Sequence, residues 1–340
     1  MMIPSQMKAI VLPEHGGLDR LRLIGDHPLR PLAPHEVLIR VRACSLNYHD
    51  VFTCRGLPGI RIPLPVVPGN DIAGDVAALG SEVSGWRIGD PVLVNPVYKG
   101  KGLMGEMLDG GLAEYAIVSA EQLIALPDGV SHADAAALPV AYGTAHRMMM
   151  TIGQIRAGER VLVLGASGGV GTCCVMLAHR AGCEVIACAS GEDKAERLRA
   201  IGATHVIDYT RADFMKEIFA LCGKPNFRSG EGGVDVVVNY TGGDTWVPSL
   251  RCLRKGGRVL VCGATAGYAP AEDLRFIWTF ELQVLGSNGW TRDDLAALLE
   301  GVRSGTMKPV IDRVLPLEQG IEGLRLMEDR KLFGKIIVAP

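Results

Sequence analysis

The sequence has no run of five or more basic residues, and its formal charge is only −2 at neutral pH. Binding to a polyanion needs clustered Lys and Arg, so no nucleic-acid partner is expected. Missing as well is any stretch of the roughly 18 apolar residues that a membrane-spanning helix requires. The beginning of the chain has Lys8 but no apolar segment of signal-peptide length. A cytoplasmic protein with no membrane partner is the expectation. The nine cysteines are odd in number and irregularly spaced, with no Cys-x-x-Cys pair, and they read as reduced thiols. No internal repeat or low-complexity segment is present.

What is present is organised around residues 161–171, Val-Leu-Val-Leu-Gly-Ala-Ser-Gly-Gly-Val-Gly. Four apolar residues read as a buried strand, and the glycines then turn the chain into an apolar helix beginning near Val170. Such a turn leaves backbone N–H groups unpaired at a helix N-terminus, where aligned peptide dipoles favour a pyrophosphate. Ser167, Gly168, Gly169 and Val170 are therefore candidate cofactor contacts. The run Ala166-Ser167-Gly168-Gly169-Val170-Gly171 fits the dinucleotide fingerprint with alanine in place of the first glycine. Taken alone, a flexible loop would look the same.

Later features separate the two readings. Residues 183–189 read as a second buried strand at the distance a βαβ unit requires, and strand-like runs recur at 234–239, 258–262 and 282–285. Helical stretches between them imply a doubly wound parallel sheet. At 340 residues the chain is too long for one ordinary core. Residues 7–130 instead carry short strand-like runs broken by Gly and Pro, at 37–41, 72–79 and 91–95, and read as a mostly β domain. Residues 133–150 are apolar enough for a helix leading into the sheet, 291–325 return to helical patterning, and 333–338 look like a last strand. The expected division is 1–137, 138–289 and 290–340, the last segment returning to the first domain.

These motifs resemble the medium-chain dehydrogenase/reductase superfamily. The likeness rests on Val66-Val67-Pro68-Gly69-Asn70-Asp71-Ile72-Ala73-Gly74, Gly85-Trp86-Arg87-Ile88-Gly89-Asp90, Gly110-Gly111-Leu112-Ala113-Glu114-Tyr115, the glycine turn and Phe333-Gly334-Lys335. It implies an α/β chain with a GroES-like β-rich catalytic domain and a Rossmann cofactor domain. Zinc-dependent members carry ligands where this chain has Asn47, Asn70 and, by position, Val140. The soft and imidazole ligands that a catalytic zinc prefers are missing there. Residues 95–112, where a structural zinc would be held, contain no cysteine. No metal is expected; a site built from Cys44, His49, Asp50 and Asp71 is the alternative, and His49 otherwise reads as a hydrogen-bonded pocket or surface residue.

A metal-free site suits acceptors that bring their own electrophilicity, such as quinones and α,β-unsaturated carbonyls. The run Ser45-Leu46-Asn47-Tyr48 and Asp50 are similar to the corresponding stretch of zinc-free quinone oxidoreductases and acryloyl-CoA reductases. The resemblance implies catalytic roles for Asn47, Tyr48 and Asp50, with Asn47 also touching the nicotinamide. Tyr48 is either a donor to the developing oxyanion or a wall residue, with water supplying the proton.

The second strand ends in Ala189-Ser190-Gly191 followed by Glu192-Asp193-Lys194. Ser190 and Lys194 can accept a ribose 2′-phosphate, and the resemblance adds Tyr209, so NADPH is the expected cofactor. Against this, Glu192 or Asp193 could face the ribose, and Lys194 and Arg197 could be solvated helix charges. By resemblance alone, Thr144, Thr241, Gly263, Ala264 and Lys335 join the cofactor site, Lys335 either reaching a phosphate or capping the last strand. Phe52, Trp290 and residues 104–107 are possible pocket walls, while Cys173 and Cys174 read as buried thiols. Residues 282–286 are the expected contact of a homodimer. The expected activity is reduction of a small quinone or enone by NADPH, with a non-catalytic NADPH sensor and an alcohol dehydrogenase with an atypical metal site as alternatives.

Overall fold

A computed structural model describes residues 3–340. The chain divides into two units, one ending at Ala141 and completed by Leu295–Pro340, the other Tyr142–Asp294. Both divisions fall a few residues later than expected.

In the first unit, β1 (Gln6–Val11) and β2 (Arg22–Pro28) form an antiparallel hairpin. The main sheet holds β3 (Glu36–Ser45), β4 (Asp71–Leu79), β5 (Pro91–Val94), β8 (Tyr115–Ser119) and β9 (Leu123–Ala125), with a minor hairpin of β6 (Val97–Tyr98) and β7 (Gly102–Leu103). Helix α1 (Tyr48–Arg55) follows β3 directly. Alternation explains the sheet: Val37, Ile39, Val41, Ile72, Val76, Val92 and Val94 all enter one buried core. The tail does return, because β17 (Lys335–Ala339) pairs antiparallel with β3, and β16 (Ile311–Pro316) pairs parallel with β17. Strand β16 falls where helical patterning was expected. Its sequence Ile-Asp-Arg-Val-Leu-Pro leaves Val314 exposed and alternates too weakly to show as a strand before β17 pairs with it.

The second unit carries six parallel strands in the order β12-β11-β10-β13-β14-β15. They are β10 (Arg160–Val163), β11 (Glu184–Ala189), β12 (His205–Asp208), β13 (Val234–Val238), β14 (Leu253–Val261) and β15 (Gln283–Gly286). Val161, Leu162, Val163, Val236, Val237 and Val238 have no exposed surface, which is why these strands read as unbroken apolar runs. Helix α2 (Gly169–Arg180) follows β10, and α3 (Glu192–Ala200) follows β11. The strand order reverses beside β10, so the carboxyl ends of β10 and β13 flank the crevice where this fold binds ligands. All nine cysteines are free thiols. Among the described residues, no helix is long and apolar enough to cross a membrane.

Candidate active site

The glycine turn has a different reason for each glycine. Gly165 adopts φ +63°, a left-handed conformation that side chains resist. At Gly171 a Cβ would lie 2.5 Å from the Gly165 carbonyl oxygen and 2.6 Å from Ala166 Cα, so the start of α2 presses on the turn. At Gly168 the nearest atoms to a Cβ would be 3.6 Å and 3.9 Å away, ordinary contact distances that a methyl could meet without a clash. Gly168 is the N-cap of α2 and supplies no side-chain cap, so no side chain of the N-cap satisfies the first N–H groups of the helix. These features fit a dinucleotide pyrophosphate. Sequence reasoning missed Tyr240, whose hydroxyl donates to the Gly165 carbonyl at 2.6 Å. Burial raises its pKa well above the usual phenol value. Its signal was a polar aromatic at the carboxyl end of a buried strand.

The other expected cofactor residues of this unit lie at strand ends or on a helix. Ser190 is half-buried after β11, and the neighbouring Gly191 N–H donates to Asp208 at 3.2 Å. Thr210 donates to the same carboxylate, and these bonds hold the Asp208 pKa below the usual range. Glu192 pairs with Arg199 along α3 at 2.7 Å, so it is engaged away from Ser190. Lys194 is half-buried and Tyr209 exposed. Thr241 sits in a loop held by the wholly buried Asn239, whose Oδ1 accepts the N–H groups of Thr241 and Gly242 at 3.0 and 2.9 Å. Gly263 and Ala264 follow β14, and Thr144 is buried on the helical segment Thr144–His146.

In the first unit a buried ionic cluster gathers three of the expected residues. Asn47 is 5% exposed and its amide is bonded at both ends: Nδ2 donates to Asp71 Oδ2 at 2.8 Å, and Oδ1 accepts from Lys335 Nζ at 2.5 Å. The same Nζ donates to the Leu46 carbonyl at 2.7 Å and lies 3.7 Å from Asp71. Lys335 is therefore turned inward, which corrects the expectation that it reaches a phosphate. Asp50, expected as catalytic, has no exposed surface and accepts the backbone N–H groups of Asn47 and Gly69 at 2.8 and 2.9 Å. It shapes the entry to α1, with each carboxylate oxygen engaged by a backbone N–H. Burial raises the Asp71 pKa to about 6, against the opposing effects of Lys335, Asn47 and the Val140 N–H. Burial likewise lowers that of Lys335 and raises that of Asp50.

Tyr48 packs its ring edge-on to Phe52 at 5.1 Å, and its hydroxyl lies near the Arg55 guanidinium. Its neighbour His49 reaches the other way, placing Nε2 2.5 Å from Glu106 Oε2. Sequence reasoning marked residues 104–107 only as possible pocket walls and did not single out Glu106, which belongs to a segment with no periodicity.

Residues 33–128 match the alcohol dehydrogenase GroES-like domain, and residues 169–304 the zinc-binding dehydrogenase family. The chain is 31% identical to the quinone oxidoreductase of Mus musculus, over 93% of this chain and 92% of that one. It is 32% identical to an NADPH-dependent alkenal/one oxidoreductase, chloroplastic, of Arabidopsis thaliana, over 99% of this chain and 81% of that one. Among solved structures, an NAD-dependent alcohol dehydrogenase superposes with a TM-score of 0.89 at 34% identity, covering 98% of this chain and all of the other.

The zinc in the second family's description does not fit the residues present. Asn47 Oδ1 faces an ammonium, Asn70 donates Nδ2 to the Met104 carbonyl at 2.6 Å, and Val140 offers only a backbone N–H to Asp71. That donor set contains neither thiolate nor imidazole. Among the described residues no three His, Cys, Asp or Glu side chains are grouped as a metal site requires.

Proposed function

The chain belongs to the medium-chain dehydrogenase/reductase superfamily, in its quinone oxidoreductase-like branch, and from that premise we propose an NADPH-dependent, zinc-independent reductase of quinones or α,β-unsaturated carbonyl compounds. It is an oxidoreductase that binds NAD(P). The observation that carries the finer reading is the Lys335–Asn47–Asp71 cluster, in which Asn47, the residue that the resemblance aligns with a zinc ligand, is bonded to an ammonium and a carboxylate. Without that acid, an unactivated alcohol would have no group to deprotonate it at neutral pH. A quinone or enone needs none, because hydride at its remote carbon gives a delocalised quinolate or enolate.

When bound, NADPH supplies the hydride. The turn at Ser167, Gly168, Gly169 and Val170 binds the pyrophosphate, and Ser190, Lys194 and Tyr209 take the 2′-phosphate. Thr144, Thr241, Gly263 and Ala264 complete the cofactor site in this proposal. Asn47, fixed at both ends of its amide, orients the reactants. The test is NADPH oxidation by the purified protein with an ortho-quinone, a para-quinone, a 2-enal, an enone and acryloyl-CoA. One acceptor class is expected to turn over, indifferent to a chelator, with NADPH favoured over NADH by at least about tenfold, the worth of one charge-assisted contact. Chelator-sensitive alcohol oxidation would overturn zinc independence. Tight NADPH binding with silence across the panel would instead make the chain a sensor.

A homodimer is part of the same proposal. Strand β15 is the outer edge of the six-stranded sheet, and Val284 on it is 47% exposed, close in sequence to the exposed Leu274 and Trp278. An apolar edge of this kind is a template for pairing with a second copy. Light scattering should give twice the chain mass for the wild type and the single-chain mass for Val284→Lys; a monomeric wild type would end the idea.

A further inference from the structure

Reduction of an enone or quinone leaves an oxyanion that must take up a proton, and Tyr48 and water are the two sources the sequence leaves open. The Tyr48 ring packs edge-on to Phe52 at 5.1 Å, and its hydroxyl lies near Arg55, seven residues further along α1. One residue on, His49 is turned instead toward the segment following β7 and engages Glu106 there.

Three stretches of backbone meet at that point. The turn at residues 103–108 closes through Gly105 N–H to the Leu108 carbonyl at 2.7 Å. It packs on Gly69, so closely that a Cβ on Gly105 would lie 2.8 Å from Gly69 backbone atoms. Gly69 in turn donates to Asp50 on α1. Within this junction the Glu106 side chain is 5% exposed, while that of His49 is 29% exposed. The imidazole therefore has one nitrogen committed to a buried carboxylate. Among the described residues its other nitrogen, Nδ1, has no protein partner.

A second observation marks the same junction as a place for a ligand. Asn70 has no exposed surface, and its Nδ2 is anchored to the Met104 carbonyl, two residues from Glu106. Its Oδ1 is buried with no hydrogen-bond partner. A buried amide oxygen left unpaired costs free energy unless another donor reaches it. The enol or quinol hydroxyl of a reduced acceptor is such a donor.

We propose that His49, held by Glu106, is the acid that protonates the reduced acceptor, with Asn70 Oδ1 accepting from the product hydroxyl. The inference rests on the reductase reading given above. The acceptor gains a C–H bond from the hydride, its C=C π pair becomes the C=C of an enolate, and the carbonyl π pair moves to oxygen. The Nδ1–H bond then breaks and an O–H bond forms, leaving neutral His49 with Nε2–H still donated to Glu106. Solvent returns the proton to Nδ1. The sum is acceptor, reduced cofactor and one proton giving reduced acceptor and oxidised cofactor.

The electrostatics agree with that role. Burial alone would lower the His49 pKa; the bond to Glu106 and the charges of Glu106, Asp50 and Asp71 outweigh it, and the net direction is upward. The remaining charge facing the cluster, Lys335, is engaged by Asn47 and Asp71. His49 thus stays an imidazolium further into the neutral range than a free histidine.

The experiment combines histidine-ring NMR titration of the full chain with pH–rate profiles on whichever acceptor the wild type reduces. His49, assigned by the signal lost in His49→Gln, should titrate above the ordinary value near 6.5. Its midpoint should fall in Glu106→Gln. Wild-type kcat should decline as pH rises through the same midpoint, and that decline should move to lower pH in Glu106→Gln. His49→Gln should lose this limb and about a hundredfold or more in kcat. An active wild type whose limb survives in His49→Gln, or does not move in Glu106→Gln, would overturn the inference alone. A wild type inert toward every acceptor would overturn the reductase reading and the acid role with it. If His49→Gln does not fold, the shift in Glu106→Gln decides.

Discussion

Lys335→Met is expected to cost about 3–5 kcal/mol of stability at pH 7, the usual result of removing one member of a buried ion pair. Lys335 is 3% exposed and Asp71 not at all, so neither charge can turn to water. The pKa directions add that burial outweighs pairing for both partners, since Asp71 is raised to about 6 and Lys335 is lowered. The pair is therefore a net expense that only its completeness keeps tolerable. Asp71→Asn with Lys335→Met should be milder than Lys335→Met alone, because it leaves no unpaired charge.

The pH dependence has a definite sign. A carboxyl group raised to about 6 in the folded state and near 3.9 unfolded binds more protons folded than unfolded between those values, so stability falls as pH rises through that window. In the wild type this amounts to roughly 3 kcal/mol lost above pH 6. Without Lys335 the folded value rises further, so the deficit of Lys335→Met should be smaller at pH 5, where Asp71 can take a proton, than at pH 7. Urea denaturation at the two pH values measures this. Equal deficits, or a loss below about 1 kcal/mol, would mean that the ammonium does not neutralise Asp71. Activity should suffer too, because Asn47 Oδ1 loses the donor that fixes its amide.

The reading of the fold from sequence was good wherever the signal is local. Strand β10, the glycine turn and α2 follow each other within a few residues, and runs of valine can be recognised as strands covered on both faces. The candidate site is different in kind. Asn47 and Lys335 are 288 residues apart in sequence, and only the pairing of β17 with β3 brings them together. Lys335 could be seen as a lysine beginning a last strand, but not as an ammonium turned inward. His49 and Glu106 are 57 residues apart, in segments with no shared pattern. Tyr48 illustrates the same limit: its ring packs on Phe52 and lies near Arg55 along the helix, and no motif encodes that direction.

Gly171→Val and Gly168→Ala should separate the two uses of glycine in the turn. The valine Cβ would meet backbone atoms of Gly165 and Ala166 at 2.5 and 2.6 Å, and backbone cannot swing aside as a flexible side chain would. Overpacking of this kind costs about 1–3 kcal/mol or more, and α2 would have to draw away from β10. NADPH binding should then weaken by well over about tenfold, because the donors at the helix end shift together. Gly168 has φ −82°, which any residue adopts, and an added methyl meets nothing closer than 3.6 Å. Gly168→Ala should therefore leave stability within about 0.5 kcal/mol of the wild type, as for changes that disturb no packing. Its effect should appear only when a phosphate has to approach the backbone, as a raised Kd for NADPH measured by fluorescence titration. Should the alanine bind NADPH as the wild type does, the pyrophosphate does not lie against Gly168, and the cofactor must approach another part of the turn.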